Sequence, residues 1–524
     1  MNGAEALLRT LVGSGIDVCF ANPGTSEMQF VAALDRVPEM RAVLTLFEDV
    51  ATGAADGFGR MAERPASTLL HLGPGLANGL SNLHNARRAQ TPLVNVVGDQ
   101  ATYHQRYDAR LQSDLAGIAK TMSAWVRSST RAEDVGGDAA DAVAASWGPP
   151  GSIATLIVPA DVSWSEGGTP CAPHQRVPPP RVPDEHVEEL AKAMRDARQA
   201  TLLLGGPAMT ERGILAAVAI ARGCGARLLA DTFPARQPRG GGLPELEKLA
   251  YYGEMAATQL AGTDLLVLVA AKRPASFFAY PGKPSDLVPP DAAVAVLGDS
   301  NVDTVAALEA LAEALGNPPE ADGGDRRRGA GDGRRASRPE RPAGRLDAES
   351  MAAAVGHALP EGSIVVDESI TSGLSIPAAT AGGPGHDWLA LAGGSLGQGL
   401  PVATGAAIAA PGRRVLSLEA DGSAMYTFQA LWTQAREGLD VTTVVLANRS
   451  YAILQFELHR LGASGTGERA ASLLDLTRPD LDFVALGRGL GVPAVRAETA
   501  EELTGLLERS FQDDGPMLIE ALFA

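Results

Sequence analysis

An aspartate and an asparagine 27 positions apart (448 − 421) each follow a short apolar run in the C-terminal third of this sequence. The runs Val415 to Leu418 and Val441 to Leu446 lead into Glu419-Ala420-Asp421-Gly422-Ser423 and Ala447-Asn448-Arg449-Ser450-Tyr451. On neighbouring strand ends, the Asp421 carboxylate, the Asn448 amide oxygen and the Ser450 carbonyl converge as hard oxygen ligands. That set suits Mg²⁺ and leaves coordination positions for phosphate oxygens. Gly422 lets backbone come close, and a helix starting near Ser423 turns free N–H groups toward an anion. Asp-Gly-Ser alone is a common turn and cap; its pairing with Asn448 gives it chemical meaning.

A further carboxylate stands in TLFEDVATGAADGFGRM, where Glu48 follows the run Ala42 to Leu46 and opens a helix of small residues. A glutamate at a helix start is ordinarily a favourable dipole interaction. Here it shares the chain with three further stretches: Asn22-Pro23-Gly24-Thr25-Ser26-Glu27, the run from His71 through Gly73-Pro74-Gly75 to Asn78-Gly79, and Ala392-Gly393-Gly394-Ser395-Leu396-Gly397-Gln398-Gly399-Leu400-Pro401.

In order and spacing, these five blocks resemble the thiamin diphosphate-dependent 2-oxo acid decarboxylases and carboligases. The wording is most similar to acetolactate synthase large-subunit-like proteins and is also benzoylformate decarboxylase-like. The family's metal motif usually has Gly and Asn where this chain has Ala420 and Ala447, and both departures spare the implied ligands Asp421, Asn448 and Ser450. The resemblance implies that Glu48 bonds the pyrimidine nitrogen of the cofactor and favours the imino tautomer that takes the C2 proton. It makes Leu396 the apolar wedge between the two rings and the Gly394 carbonyl the acceptor for the pyrimidine amino group. Asn78 lines the pyrimidine pocket, while Thr371, Ser372, Gly422, Ser423 and Tyr451 serve the diphosphate end. His71 and Thr25 are catalytic candidates beside the substrate, against structural roles for each, and Glu457 either borders the pocket or is a solvated helix residue. Because Glu48 and Asp421 lie in different domains, contributed in the family by different subunits, the implied assembly is a homodimer or homotetramer with interface sites.

Several departures leave the reaction open. The best match to the second histidine of benzoylformate decarboxylases is Pro281, Leu454 stands where pyruvate decarboxylases carry a catalytic Glu, His104 stands alone, and Arg110 and Leu111 replace the Phe-Gln pair of acetolactate synthases. The leading expectation is decarboxylation or carboligation of a 2-oxo acid. The alternatives are a C–C hydrolase or FAD-linked oxidase on the same cofactor core, or a catalytically idle regulatory paralogue. FAD is possible but not supported, since the Gly205-Gly206 turn is too weak to assert it.

The elements that must position these groups alternate apolar runs with amphipathic stretches, the pattern of parallel sheets covered on both faces. The runs are Ala42 to Leu46, Ser67 to His71, Leu93 to Val97 and Ile153 to Val158; then Thr201 to Leu204, Leu265 to Ala270 and Val294 to Leu297; then Ile364 to Val366 and the two named above. The fold class read from them is α/β, with three doubly wound parallel-sheet domains: pyrimidine-binding (1–165), central (187–316) and diphosphate-binding (346–524). Ligands then sit beyond the carboxyl ends of strands. Residues 317–345, dense in Gly, Pro and Arg, read as a flexible linker and solvated tether, and 166–186 as a Pro-rich connection. At 524 residues the chain suits about three domains. A net charge of −18 argues against nucleic-acid binding. Isolated Cys19, Cys171 and Cys224 indicate neither a disulfide framework nor a thiolate metal site. With no apolar run of the roughly 20 residues a span needs and no secretory signal, the expectation is a cytoplasmic protein with no membrane contact.

Overall fold

The computed structural model describes residues 1–318, 338–462 and 467–523. Three sheets organise it. The first has six parallel strands in the spatial order Arg41–Leu44, Val18–Ala21, Ala66–Leu70, Leu93–Asp99, Ile153–Pro159 and Trp125–Ser128. The second has five parallel strands in the order Glu247–Lys248, Arg227–Ala230, Ala200–Leu204, Leu265–Val269 and Ala293–Gly298. The third has seven, in the order Ala494–Ala497, Met517–Leu522, Val441–Ala447, Val415–Ala420, Ser363–Glu368, His386–Ala390 and Gln237–Arg239. The central strands Leu93–Asp99 and Ile153–Pro159 are buried at every residue, as helices on both faces require.

The last strand of the third sheet departs from the expected parallel pattern. Gln237–Arg239, from the middle of the chain, pairs antiparallel with His386–Ala390 and closes that edge. Only three residues long and interrupted by a proline, it carries no periodic signal.

The small-residue helix Glu48–Ala62 has a packing reason for its composition. It crosses the helix Gly399–Ala409 of the third unit at backbone contact, and a Cβ on Gly57 would stand 2.1 Å from the Val402 carbonyl oxygen. A Cβ on Gly405 would stand 1.8 Å from the carbonyl oxygen of Ala54. Only hydrogens fit there, so these glycines bring the first and third units together along two helices.

The strand before Glu48 ends at Leu44 rather than Leu46. Thr45 turns away, its hydroxyl donating to the carbonyls of Ala21 and Phe47, and Phe47 caps the helix that Glu48 opens. The expected tether falls mostly on 319–337, outside the described residues. Its end is not a free chain: the Arg338 side chain donates to the His357 carbonyl, Arg341 pairs with Glu508 at 2.7 Å, and the Gly344 N–H donates to Glu501 at 2.9 Å. Among the described residues no helix is long and apolar enough to cross a membrane.

Candidate functional site

The N-terminal half of the site gathers where three strands end. Glu48 is 7% exposed, and its Oε2 accepts from Asn78 Nδ2 at 3.0 Å. A Cβ on Gly75 would lie 3.0 Å from Glu48 Oε1, so the glycine-rich turn leaves that carboxylate its space. The chain therefore holds an anionic group at a helix start beside one amide donor, with no cation paired to it among the described residues.

Behind it lies a carboxylate that the sequence reading missed. Glu27 is 3% exposed and accepts from the Gly24 N–H at 2.8 Å, while His71 Nδ1 stands 2.8 Å from its Oε2. Ser26 donates to the same carboxylate and lies 3.2 Å from His71 Nδ1. Gly24 and Gly98 are needed here, because a Cβ on either would strike the His71 ring at 2.1 Å or Glu27 Oε1 at 1.7 Å. With Nδ1–H donating to Glu27, His71 keeps Nε2 as the ring nitrogen available to a ligand, the second-partner logic that fixes a histidine tautomer. An acid six residues past a buried strand is all that marks it in the sequence, a mark that a solvated loop acid shares. Thr25 opens the one-turn helix Thr25–Glu27 and is exposed, and no hydrogen bond engages its hydroxyl among the described residues.

Asp49, next to Glu48, is also buried, and burial pushes its carboxyl up to about 7 against the pull of the Asn82 N–H. An acid whose folded pKa exceeds its unfolded value contributes stability that is complete below the unfolded value and is lost as pH rises through the folded one. Asp49→Asn is therefore expected to flatten part of the fall in stability between about pH 4 and about pH 7. Urea melts of both proteins across that window check this, and parallel curves would contradict it.

The C-terminal half brings Asp421, Asn448 and Ser450 together as expected from their strand ends. Asp421, 3% exposed, accepts from the Gly422 N–H at 2.8 Å and from the Arg449 N–H at 2.5 Å. Asn448 Oδ1 accepts from the Ser450 N–H at 3.0 Å, and its amide donates to Ser372 Oγ at 3.0 Å. Burial raises the Asp421 carboxyl above its usual range, against the N–H donors of Arg449 and Gly422. A divalent cation reverses that penalty, so the donor set and its electrostatics fit Mg²⁺. Among the described residues no cluster of three or more His, Cys, Asp or Glu side chains offers a different metal centre.

Three positions have other geometry than anticipated. Gly422 admits the Tyr451 ring, whose Cε1 would lie 2.4 Å from a Cβ there. The helix begins at Asp421 and lasts four residues, and the Ser423 hydroxyl donates to the Ala420 and Glu368 carbonyls. Glu457 is not a freely solvated helix residue: it accepts from Tyr280 at 2.5 Å and pairs with Arg460 at 2.9 Å. Thr371 is half-buried, two residues beyond Ser369 and next to Ser372.

The segment expected under the bend of the cofactor lies between the halves. Gly394 has φ +76°, and Phe277 Cζ would stand 2.9 Å from a Cβ there. Leu396 is half-buried, and the following N–H groups of Gly397 and Gly399 donate to Glu368 at 2.6 and 2.5 Å. Glu368 and its neighbour Glu419 are each 1% exposed. Burial pushes Glu368 up to about 7, and burial together with Glu368 pushes Glu419 well above its ordinary value.

Comparison with known proteins supplies the family. The thiamine pyrophosphate enzyme N-terminal TPP binding domain matches residues 1–122, and the C-terminal TPP binding domain matches residues 377–521. An acetolactate synthase large-subunit-like protein of Mycobacterium tuberculosis is 54% identical, with 100% of this chain and 99% of that one covered. The chain belongs to the thiamine pyrophosphate enzyme family. Other family members in reach include benzoylformate decarboxylase of Pseudomonas aeruginosa, 29% identical over 97% of this chain and 96% of that one. The thiamine diphosphate-dependent 4-hydroxybenzoylformate decarboxylase of Rhodococcus jostii RHA1 superposes with a TM-score of 0.84 at 25% identity, over 100% of both chains. The chain is thus a thiamin diphosphate-dependent enzyme of the acetolactate synthase and decarboxylase group, and its three sheets have that family's α/β fold.

Proposed function

We propose that this enzyme uses thiamin diphosphate and Mg²⁺ to decarboxylate a 2-oxo acid, passing the product to a proton or a carbonyl acceptor in the manner of acetolactate synthases. When bound, the cofactor supplies the nucleophile and the electron sink for CO₂ loss. Asp421, Asn448 and the Ser450 carbonyl hold the metal, with Ser372, Thr371, Ser423 and Tyr451 near the diphosphate. Gly394 and Leu396 orient the rings, and Asn78 lines the pyrimidine pocket. Glu48 holds the proton at the pyrimidine nitrogen. His71, kept in one tautomer by Glu27, presents Nε2 for proton movement at the substrate, and Thr25 offers its hydroxyl to the substrate carboxylate.

The observation that carries this reading is the buried Glu48 carboxylate at a helix start, with a single amide donor at 3.0 Å. Such a group holds a proton on a ring nitrogen better than it holds a structure together. The same reading assigns 1–165 to pyrimidine binding, 187–316 to the central unit, 317–345 to a linker and 346–524 to diphosphate binding. It makes the working assembly a homodimer or homotetramer in which Glu48 of one chain meets Asp421 of another, located in the cytoplasm.

CO₂ release from a panel of 2-oxo acids, with thiamin diphosphate and Mg²⁺ added, tests the proposal. Turnover that needs both additives is the expected result, and no release from any member with cofactor bound would overturn it.

A further inference from the structure

The helix Leu80–Ala89 of the first unit turns four polar side chains toward Gly393–Gly397, the segment that carries Leu396. Ser81 Oγ meets Ser395 Oγ at 2.6 Å, and His84 Nε2 lies 3.1 Å from the Gly393 carbonyl. Asn85 grips Ser395 at both ends, donating to its carbonyl at 2.8 Å and accepting from its N–H at 3.1 Å. Asn82 Nδ2 donates to the Gly397 carbonyl at 3.1 Å. Asn82 and Asn85 are fully buried at 0% exposure, so these bonds form away from water, where an unmet partner is costly.

Asn82 is itself held from the other side. Its backbone N–H donates to Asp49 Oδ1 at 2.8 Å, and its amide donates to Asp49 Oδ2 and to the Asp49 carbonyl, each at 3.0 Å. Asp49 follows Glu48 directly on the same helix. A buried carboxylate is a poor choice for packing alone. Two acceptor oxygens facing two donors of one asparagine are, by contrast, what fixes an amide in a single orientation. An asparagine at position 49 would turn a donor toward one of them.

We propose that Asp49 is a positioning residue that, through Asn82, fixes the Gly397 carbonyl and so the placement of Leu396, tying the helix that presents Glu48 to the segment that bends the cofactor. The proposal rests on the function assigned above. Crowding leaves the segment little freedom once Asn82 and Asn85 are set: a Cβ on Gly393 would strike Asn85 Oδ1 at 2.4 Å, and one on Gly53 would lie 2.9 Å from Asn82 Nδ2. Loss of the Asp49 anchor therefore acts on Leu396 by releasing Asn82, with Glu48 and the metal ligands untouched.

The test uses full-length enzyme saturated with thiamin diphosphate and Mg²⁺ and reads C2 proton exchange with D₂O, alongside thermal melting. Asp49→Asn and Asn82→Ser are each expected to slow exchange at least about tenfold at full cofactor occupancy, as a displaced reacting group does. Asn82→Ser keeps the backbone bond to Asp49 and removes the side-chain bonds to Asp49, Asn85 and Gly397, so it serves if Asp49→Asn fails to fold. The double variant is expected to be no slower than the slower single one, because both changes break one connection. Exchange at the wild-type rate in Asn82→Ser, or multiplied losses in the double variant, would overturn the proposal. Wild-type enzyme that binds the cofactor yet shows no catalysed exchange would instead refute the assigned function.

Discussion

Glu48→Gln is expected to keep its Mg²⁺ and thiamin diphosphate while exchanging the C2 proton with D₂O at least about 100-fold more slowly than the parent, the typical loss when a general acid/base group is removed. The carboxylate is 7% exposed, so its charge is little screened where the pyrimidine nitrogen is expected. Glutamine has the same reach but carries no charge to hold a proton there. The residues proposed to anchor the diphosphate belong to the third unit, which this substitution leaves alone. Quenched exchange followed by NMR measures the rate and calorimetry measures the occupancy. Exchange like that of the parent would remove Glu48 from the mechanism.

The second large effect is expected at the metal. Asp421→Ala and Asn448→Ala each remove one of the proposed oxygen ligands, and thiamin diphosphate affinity is expected to fall at least about tenfold in each, with the loss confined to titrations containing Mg²⁺. Both side chains also brace the turn that follows the strand Val441–Ala447, since Asp421 accepts from the Arg449 N–H and Asn448 from the Ser450 N–H. Asp421→Asn removes the charge while its one amide oxygen keeps the bond from the Arg449 N–H, at the cost of the bond from the Gly422 N–H. If all three variants bound the cofactor as tightly as the parent does, these residues would not be the metal ligands.

The buried central strands of each unit were legible because their apolar runs are unbroken, and residues just past them lie together at the candidate site. Asp421 and Asn448 came from that rule, and Glu48 from the family resemblance of the block that it opens. Glu27 was not legible, since nothing local tells a loop acid held by His71 and the Gly24 N–H from a solvated one. Asp49 escaped for a similar reason: its partner Asn82 is 33 residues away and apposed only by folding. Short strands such as Val18–Ala21 and Trp125–Ser128 were missed because four residues give too little periodicity to register. The extent of the Ser363–Glu368 strand was underestimated because it ends in two acids, of which Glu368 is buried and Asp367 half-buried.

The strand Gln237–Arg239 has a consequence during synthesis. It must wait for His386, 147 residues later (386 − 239), before it has a partner, roughly 7–30 s at ordinary elongation rates. Until then the middle of the nascent chain carries an unsatisfied ribbon, and afterwards that ribbon covers what would be an open edge at His386–Ala390. Open edges pair with one another between molecules. A C-terminal piece made separately, from residue 338 onward, is therefore expected to clump unless the stretch around Pro238 is supplied in trans, which makes the nominal third unit dependent for its solubility on three residues encoded in the second.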